Sequence, residues 1–237
     1  ALHRAQSRRQ RLRPLRLMTS SKRTATTLNQ PGRDCDRCPR LCAYRARLRA
    51  DKSDWHNAPV PSFGALDAAL LIVGLAPGVS GANRTGRPFT GDYAGDLLYA
   101  TLAKLGATGG HYAARADDGF ALVNVRITNA VRCVPPENKP ETAEIRACND
   151  FLRDEMAAMP RLRAVLSLGK IAHDAVLRAR GLKLSAHSFA HGAVHDLKGV
   201  RLVNSYHCSR YNTNTGVLTT VMFEEAVSRA LAEISRA

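Results

Sequence analysis

Six cysteines are the residues most able to do chemistry that ordinary side chains cannot: Cys35, Cys38, Cys42, Cys133, Cys148 and Cys208. Cys35-x2-Cys38 is a metal-type pair followed by Pro39, and 14 residues separate Cys133 from Cys148. Four soft thiolates suit an iron–sulfur cluster or zinc. Zinc ribbons usually carry two tight pairs. Only one pair here is tight, so the spacing points towards a cluster, and the plain alternative makes Cys133 and Cys148 small core residues. Disulfides are not expected, because nothing marks the chain as exported. Cys42 could replace Cys38 as a ligand, and Cys208 reads as a small apolar filler.

Three polar loops are the other chemically dense segments: GLAPGVSGANRTGRPFTGD (74–92), TNAVRCVPPENKP (128–140) and HCSRYNTNTG (207–216). Each follows a short apolar, β-branched run. ALLIVGL (69–75), FALVNVRITNAVRC (120–133), LRAVLSLG (162–169) and VRLVNSYHCS (200–209) predict strands. Between and after them, 92–106, 140–160, 170–181 and 215–236 carry apolar residues at helical spacing, with Gly106 as a C-cap and Pro140 at a helix start. Residues 107–119 read as a polar loop, and 187–199 as a loop or hairpin. Strands alternating with helices predict a parallel sheet covered on both faces. Open sheets of that kind take ligands beyond the strand C-termini. All three loops lie there, as an active site assembled from separate segments requires.

The chain has 237 residues, 45% of them hydrophobic, enough for one large core. No run of about 18 apolar residues occurs, so no transmembrane helix is expected. Lys and Arg number 35 against 20 acidic residues, a net charge of +15 that suits a polyanionic partner such as nucleic acid. Nine of those cations lie in residues 1–33, which contain no acid, so 34–237 is only moderately basic. Residues 1–33 read as a disordered basic tail and 34–237 as a single domain. The tail lacks a secretory apolar stretch. An Arg-rich, acid-poor leader suits a mitochondrial transit peptide; Met18 offers an alternative start that would make 1–17 an upstream extension; a solvated arm is the plain reading. Residues 34–68, with the cysteine cluster and the link APVPSFG, are expected to wrap the edge of the domain.

CDRCPRLC, GLAPGVSGANRTGRPFTGDYAGDLLY, ITNAVRCVPPENKP and HCSRYNTNTG occur in that order between residues 34 and 216. Together they resemble the family 5 uracil-DNA glycosylases, over about residues 34–235. The resemblance implies an α/β/α three-layer sandwich with a four-stranded parallel sheet. It implies a 4Fe–4S cluster of structural role, held at the matching positions Cys35, Cys38, Cys133 and Cys148. The implied activity is removal of uracil, and of other deaminated bases such as hypoxanthine and xanthine, from DNA, starting base-excision repair. The implied setting is a monomer in a bacterial-type cytoplasm, associated with the nucleoid through DNA. Two departures stand out: the last motif reads His207-Cys208-Ser209 where the family usually has His-Pro-Ser, which should loosen the loop, and Cys42 stands where an apolar residue is expected.

Glycosidic cleavage requires an extruded base, stabilisation of the departing base anion, and a negative charge or base facing the sugar cation and the attacking water. On the resemblance, His207 stabilises the leaving group; a structural histidine is the alternative. Asp92 serves the water or the sugar cation; the alternative is a simple helix N-cap, for which Asp is favoured, with Asp96 in reserve. Leu75 cannot supply the acid that related groups carry in that loop. Asn129 matches the base-recognition position, and its amide offers one donor side and one acceptor. Phe89 is placed to stack on the flipped base, Gly74, Leu75 and Ala76 to give it backbone contacts, and Ser209 and Asn212 to line the same site. Arg84 and Arg87 are candidates for phosphate contacts, and Arg210 and Tyr211 for the loop that wedges into the duplex. No lysine lies in the three loops except Lys139, so a lyase step through an amine is not expected. An iron–sulfur module that binds damaged DNA without cleaving it is the rival reading, kept open by the altered His-Cys-Ser motif.

Overall fold

The computed structural model describes residues 28–235; most of the basic tail, 1–27, lies outside the described residues. Seven strands form in chain order: β1 (Leu70–Gly74), β2 (Thr108–Gly109), β3 (Ala121–Leu122), β4 (Val125–Asn129), β5 (Ala164–Leu168), β6 (Val194–Asp196) and β7 (Arg201–Ser205). The α-helices are α1 (Pro39–Asp51), α2 (Ala82–Thr85), α3 (Tyr93–Lys104), α4 (Thr142–Ala158), α5 (Lys170–Ala179), α6 (Arg210–Asn214) and α7 (Thr220–Ser235). The main sheet runs β4-β1-β5-β7-β6, and β2 and β3 make a separate antiparallel pair.

The sheet has five strands where four were expected. β4, β1, β5 and β7 are parallel, and β6 pairs antiparallel to β7 at one edge. β6 lies in the segment read as a loop or hairpin at 187–199, and it is the first arm of a hairpin whose second arm is β7. Its three residues, Val-His-Asp, are only partly buried, so no apolar run betrays a strand.

β1, β4 and β5 are buried along their whole length, as expected of strands covered on both faces. Alternate residues of β1 divide between two cores. Leu71 and Val73 pack with Leu152 and Met156 of α4 and Val176 of α5. Leu70 and Ile72 pack with Leu98 and Leu102 of α3 and Phe223 and Val227 of α7. The result is the α/β/α sandwich. Leu41 of α1 joins the α4/α5 side. The link before β1 does wrap the sheet edge: Phe63 and Ile127 exchange backbone hydrogen bonds at 2.9 and 2.7 Å, and the Val60 amide donates to the Arg132 carbonyl at 2.8 Å. That occupies the open side of β4, which would otherwise be a pairing liability.

Residues 28–33, assigned above to the tail, include two contacts with the domain. The Asn29 amide donates to Asp154 at 2.6 Å, and the Arg33 carbonyl accepts from Arg49 at 2.9 Å.

Between the link, β4 and α4 lies a buried ionic network. Glu155 accepts from Arg126 at 2.6 Å and from Arg132 at 2.5 Å. Arg132 also donates to Ser62, which is hydrogen-bonded to Thr128. Burial alone would raise the Glu155 pKa, but Arg132 and Arg126 outweigh it and hold the carboxyl below the usual value. Removing one partner of such a network leaves charge buried and uncompensated. Glu155→Ala should therefore destabilise the fold by about 3–5 kcal/mol, read from the urea midpoint. Because the folded-state pKa is depressed, the contribution of Glu155 is present above the ordinary glutamate pKa and is lost as pH falls through the depressed one; the gap between wild type and variant should close in acid.

Candidate active site

The C-terminal ends of β1, β4 and β7 open into a cleft of about 690 Å³. It lies where the chain connections reverse direction, stepping from β1 out to β4 and then back across to β5, the place where open sheets take ligands. Leu75, Ala76, Phe89, Asp92, Asn129, His207, Ser209 and Arg210 of the expected site line this cleft.

Gly74, expected to touch the base, is a correction: it is buried outside the lining, behind Asn129 and Phe89. A Cβ there would stand 2.4 Å from Asn129 Oδ1 and 2.6 Å from the Phe89 ring, so only glycine lets the three meet. Asn129 is 3% exposed, and its Oδ1 accepts no hydrogen bond from the described residues. A buried acceptor without a partner costs free energy unless something else supplies a donor. Phe89 is buried with φ +52°, a strained conformation for an aromatic residue. Its ring faces His207 with centroids 6.3 Å apart and planes 27° from parallel.

His207 is half-buried beyond the end of β7. Burial lowers its pKa to about 4, with no charged or hydrogen-bonding neighbour among the described residues to offset it. The imidazole is neutral at neutral pH. Asp92 has both the bland role and the freedom for another. Its Oδ1 caps α3 by accepting from the Gly95 amide at 3.0 Å. Its Oδ2 lies against the glycines of the first loop, where a Cβ on Gly81 would stand 2.2 Å away and one on Gly78 3.2 Å. Burial raises its pKa. Asp96 is exposed, one turn further along α3.

Arg87, expected to hold phosphate, is a correction. It is 5% exposed and clamps Asp118 through both guanidinium nitrogens at 2.7 and 2.8 Å, with Nε on Thr90. Four aromatic rings, of Phe63, Tyr99, Tyr112 and Phe120, surround it at 5.1–5.8 Å. Tyr99 donates to the Pro88 carbonyl and Tyr112 accepts from the Gly91 amide. Arg87 thus anchors the loop that carries Phe89 and Asp92. Arg84 is exposed, with Nε on the Ser80 carbonyl at 2.8 Å. Asn212 is a third correction: it stands outside the lining, and its amide is spent on the His207 carbonyl at 2.8 Å. Ser209 caps α6 through the Asn212 amide. Both shape the turn after His207. Arg210 lies 5.4 Å over the Tyr93 ring, and Tyr211 is 74% exposed.

Cys208 fills the place of the expected proline. It is fully buried, and its thiol donates to the Ala94 carbonyl at 3.5 Å, joining the His207 loop to the first turn of α3. The loosening expected there is offset by this packing.

Two residues escaped the sequence reading. Asn138 lines the cleft from the 128–140 loop with φ +57°. His191 accepts from the Tyr206 amide at 3.1 Å and stacks on the Tyr206 ring at 5.1 Å, one residue before His207. The run of Pro, Glu and Asn signals a turn around 138; nothing near 191 signals a link to His207.

Cys35, Cys38, Cys133 and Cys148 line a second cavity, together with Cys42 and Arg45. Burial pushes the free thiols of Cys38 and Cys133 up to about 11 and about 12. No cysteine is in a disulfide. Among the described residues no group of three or more His, Cys, Asp or Glu is drawn together to hold a metal ion.

A sandwich with a cleft over its strand ends, holding a neutral imidazole, a carboxylate and an amide with an unsatisfied oxygen, defines a class of base-handling enzymes, and comparison with known proteins makes it specific. Residues 61–231 match the uracil DNA glycosylase superfamily, and the chain belongs to that family of DNA glycosylases. It is 46% identical over 202 residues to the type-5 uracil-DNA glycosylase of Thermus thermophilus, covering 83% of this chain and 92% of that one. It is 43% identical over 204 residues to the type-5 enzyme of Pyrobaculum aerophilum, covering 84% and 89%. A type-4 uracil-DNA glycosylase of Pyrobaculum aerophilum is 35% identical over 150 residues, 63% and 62% of the two chains.

Gly74→Ala should push Asn129 and Phe89 apart by about 1 Å. A displacement of that size costs roughly 10²-fold in turnover. A glycosylase assay should register the loss, and the thermal midpoint should fall as well, because overpacking a buried strand costs about 1–3 kcal/mol.

Proposed function

We propose that the chain hydrolyses the N-glycosidic bond of uracil in DNA, and of other deaminated bases such as hypoxanthine and xanthine, and leaves an abasic site. The observation that carries the reading is Asn129, which lines the same cleft as His207 and Asp92 and whose buried Oδ1 has no partner among the described residues. The type-5 enzymes named above support the choice of uracil.

The target nucleotide leaves the stack and enters the cleft, with the Phe89 ring as one wall. Asn129 Oδ1 accepts from the N3–H of uracil, which satisfies the orphaned acceptor. The neutral His207 ring donates an N–H to a base carbonyl as the glycosidic electron pair moves onto the base. Asp92, held by the Gly95 amide, turns Oδ2 towards the cleft, where it meets the cationic sugar and takes a proton from the water that adds at C1′. No lysine lines the cleft among the described residues, in keeping with hydrolysis without a lyase step. Tyr211, exposed in the turn after His207, is the side chain suited to fill the gap left in the duplex.

The donor set of the second cavity fits a four-iron cluster bound by Cys35, Cys38, Cys133 and Cys148. These are soft thiols from three separated segments, and a cluster, larger than one ion, spreads its ligands farther apart than a single metal does. When bound, it supplies a covalent tie between residues 35–38, the loop at 133 and α4. Cys42 has another use: its thiol donates to the Cys35 carbonyl at 3.3 Å. Protein purified without oxygen should contain iron and acid-labile sulfide. Cys133→Ala should lose both, and Cys42→Ala should keep both.

Duplex oligonucleotides carrying one uracil, hypoxanthine, xanthine or normal base test the activity. Wild type should make abasic sites only at the deaminated bases. His207→Ala and Asp92→Asn should lose about 10²–10⁴-fold in turnover. Asp92→Asn keeps a good N-cap and the stability of α3, whereas Asp92→Ala should also lose about 1 kcal/mol. Tight binding to uracil duplex with no abasic product would leave a damage-binding module instead. The pH dependence has a worked sign. Asp92 must be ionised, and burial raises its pKa, so turnover should fall with acid at a pH above the ordinary aspartate range.

A further inference from the structure

Four guanidinium groups are buried among the described residues, those of Arg45, Arg87, Arg126 and Arg132. Three of them face a buried carboxylate: Arg87 pairs with Asp118, and Arg126 and Arg132 share Glu155. Arg45 is the exception. It is 5% exposed on the inner side of α1. Its Nη1 donates to Cys133 Sγ at 3.3 Å, and its Nη2 donates to the Cys35 carbonyl at 2.8 Å and reaches Cys42 Sγ at 3.8 Å. The acidic residues of the same neighbourhood are engaged elsewhere, Asp34 by Arg49 and Glu144 by Arg40.

A guanidinium keeps its charge at any ordinary pH. Buried without a counter-charge, it is strongly unfavourable. The protein has met that requirement with a carboxylate at each of the other three. At Arg45 no carboxylate forms an ion pair among the described residues, Asp34 acting on it only from a distance, and the groups in contact that could supply negative charge are the sulfurs. A neutral thiol cannot, whereas a thiol that binds a metal gives up its proton outright. A centre held by four thiolates carries net negative charge in the cavity that Arg45 lines.

We infer that Arg45 is the buried counter-cation of the thiolate-bound centre, donating an N–H to the sulfur of Cys133. The inference rests on the cluster reading given above. It assigns Arg45 two effects. The N–H···S bond and the positive charge hold Cys133 on the centre and slow the loss of iron. The same charge favours the more negative, reduced state, so Arg45 raises the reduction potential.

The experiment compares full-length wild type with Arg45→Met, Arg45→Gln and Arg45→Lys, all purified without oxygen. The readouts are iron and sulfide per chain, the rate of iron release to a chelator, and the midpoint potential by protein-film voltammetry. Arg45→Met and Arg45→Gln should release iron at least about tenfold faster, a difference of ~1.4 kcal/mol in barrier, and their potentials should move negative. Arg45→Lys restores the charge without the two-pronged geometry and should lie between them and wild type. If Arg45→Met does not fold, Arg45→Gln, which keeps a donor and most of the volume, decides. Wild-type iron content, release rate and potential in Arg45→Gln would overturn the inference while leaving the cluster in place. A wild-type chain that takes up neither iron nor sulfide on reconstitution would overturn the cluster reading and the inference together.

Discussion

The register of β1 against β4 is the constraint on which the site depends. It sets Gly74 opposite Asn129 at the last pair of the ladder. A strand shifted by one residue would exchange the two faces of β1 and send Leu71 and Val73 to the wrong core. The cores on either side of the sheet therefore fix where the strand ends, and the strand end fixes where the amide stands. Because position 74 has no side chain, Asn129 and Phe89 share the space above it. His207 reaches the same space from β7, two strands away through β5, and Cys208 joins its loop to the helix that Asp92 begins.

Buried guanidinium groups brace this arrangement from behind. Arg87 pins the first loop to the 107–119 segment. Arg126 and Arg132 tie the end of β4 to α4 and, through Ser62, to the edge link. Each is a two-pronged donor of fixed shape, so it holds its partners in direction as well as distance. Asp118 lies below its normal ionisation range, with the Arg87 hydrogen bonds outweighing burial. Hydrophobic packing supplies the bulk of the stability. Arg87, Asp118 and Arg132 lie on irregular segments, where no ladder of backbone hydrogen bonds exists to define the chain, and Arg126 and Glu155 reach these from β4 and α4.

What the sequence disclosed, and what it hid, follows from the same division. β1, β5, α3 and α5 were legible because their apolar residues recur at strand or helix period and their ends carry glycines. Helix α1 went unseen: the residue it turns inward beside Leu41 and Leu48 is Arg45, and an inward arginine erases the amphipathic pattern. Arg87 was misread as a surface cation for a related reason. Its partner, Asp118, lies 31 residues away in a loop with no motif, and a long-range ion pair leaves no local mark. The cleft residues at strand ends were legible because strand ends are. Asn138 and His191 act through loops that no periodicity describes.

Asp92 gives one oxygen to the helix and the other to the cleft. A carboxylate held in that way cannot turn to follow a substrate without freeing the Gly95 amide at the start of α3. Its orientation is therefore set before DNA arrives, and little reorganisation remains for the moment at which charge develops on the sugar. The helix dipole adds to this, since its positive end favours the ionised form that burial opposes. In engineering terms the position is a coupled one: the acid cannot be retuned without retuning the first turn of the helix that presents it.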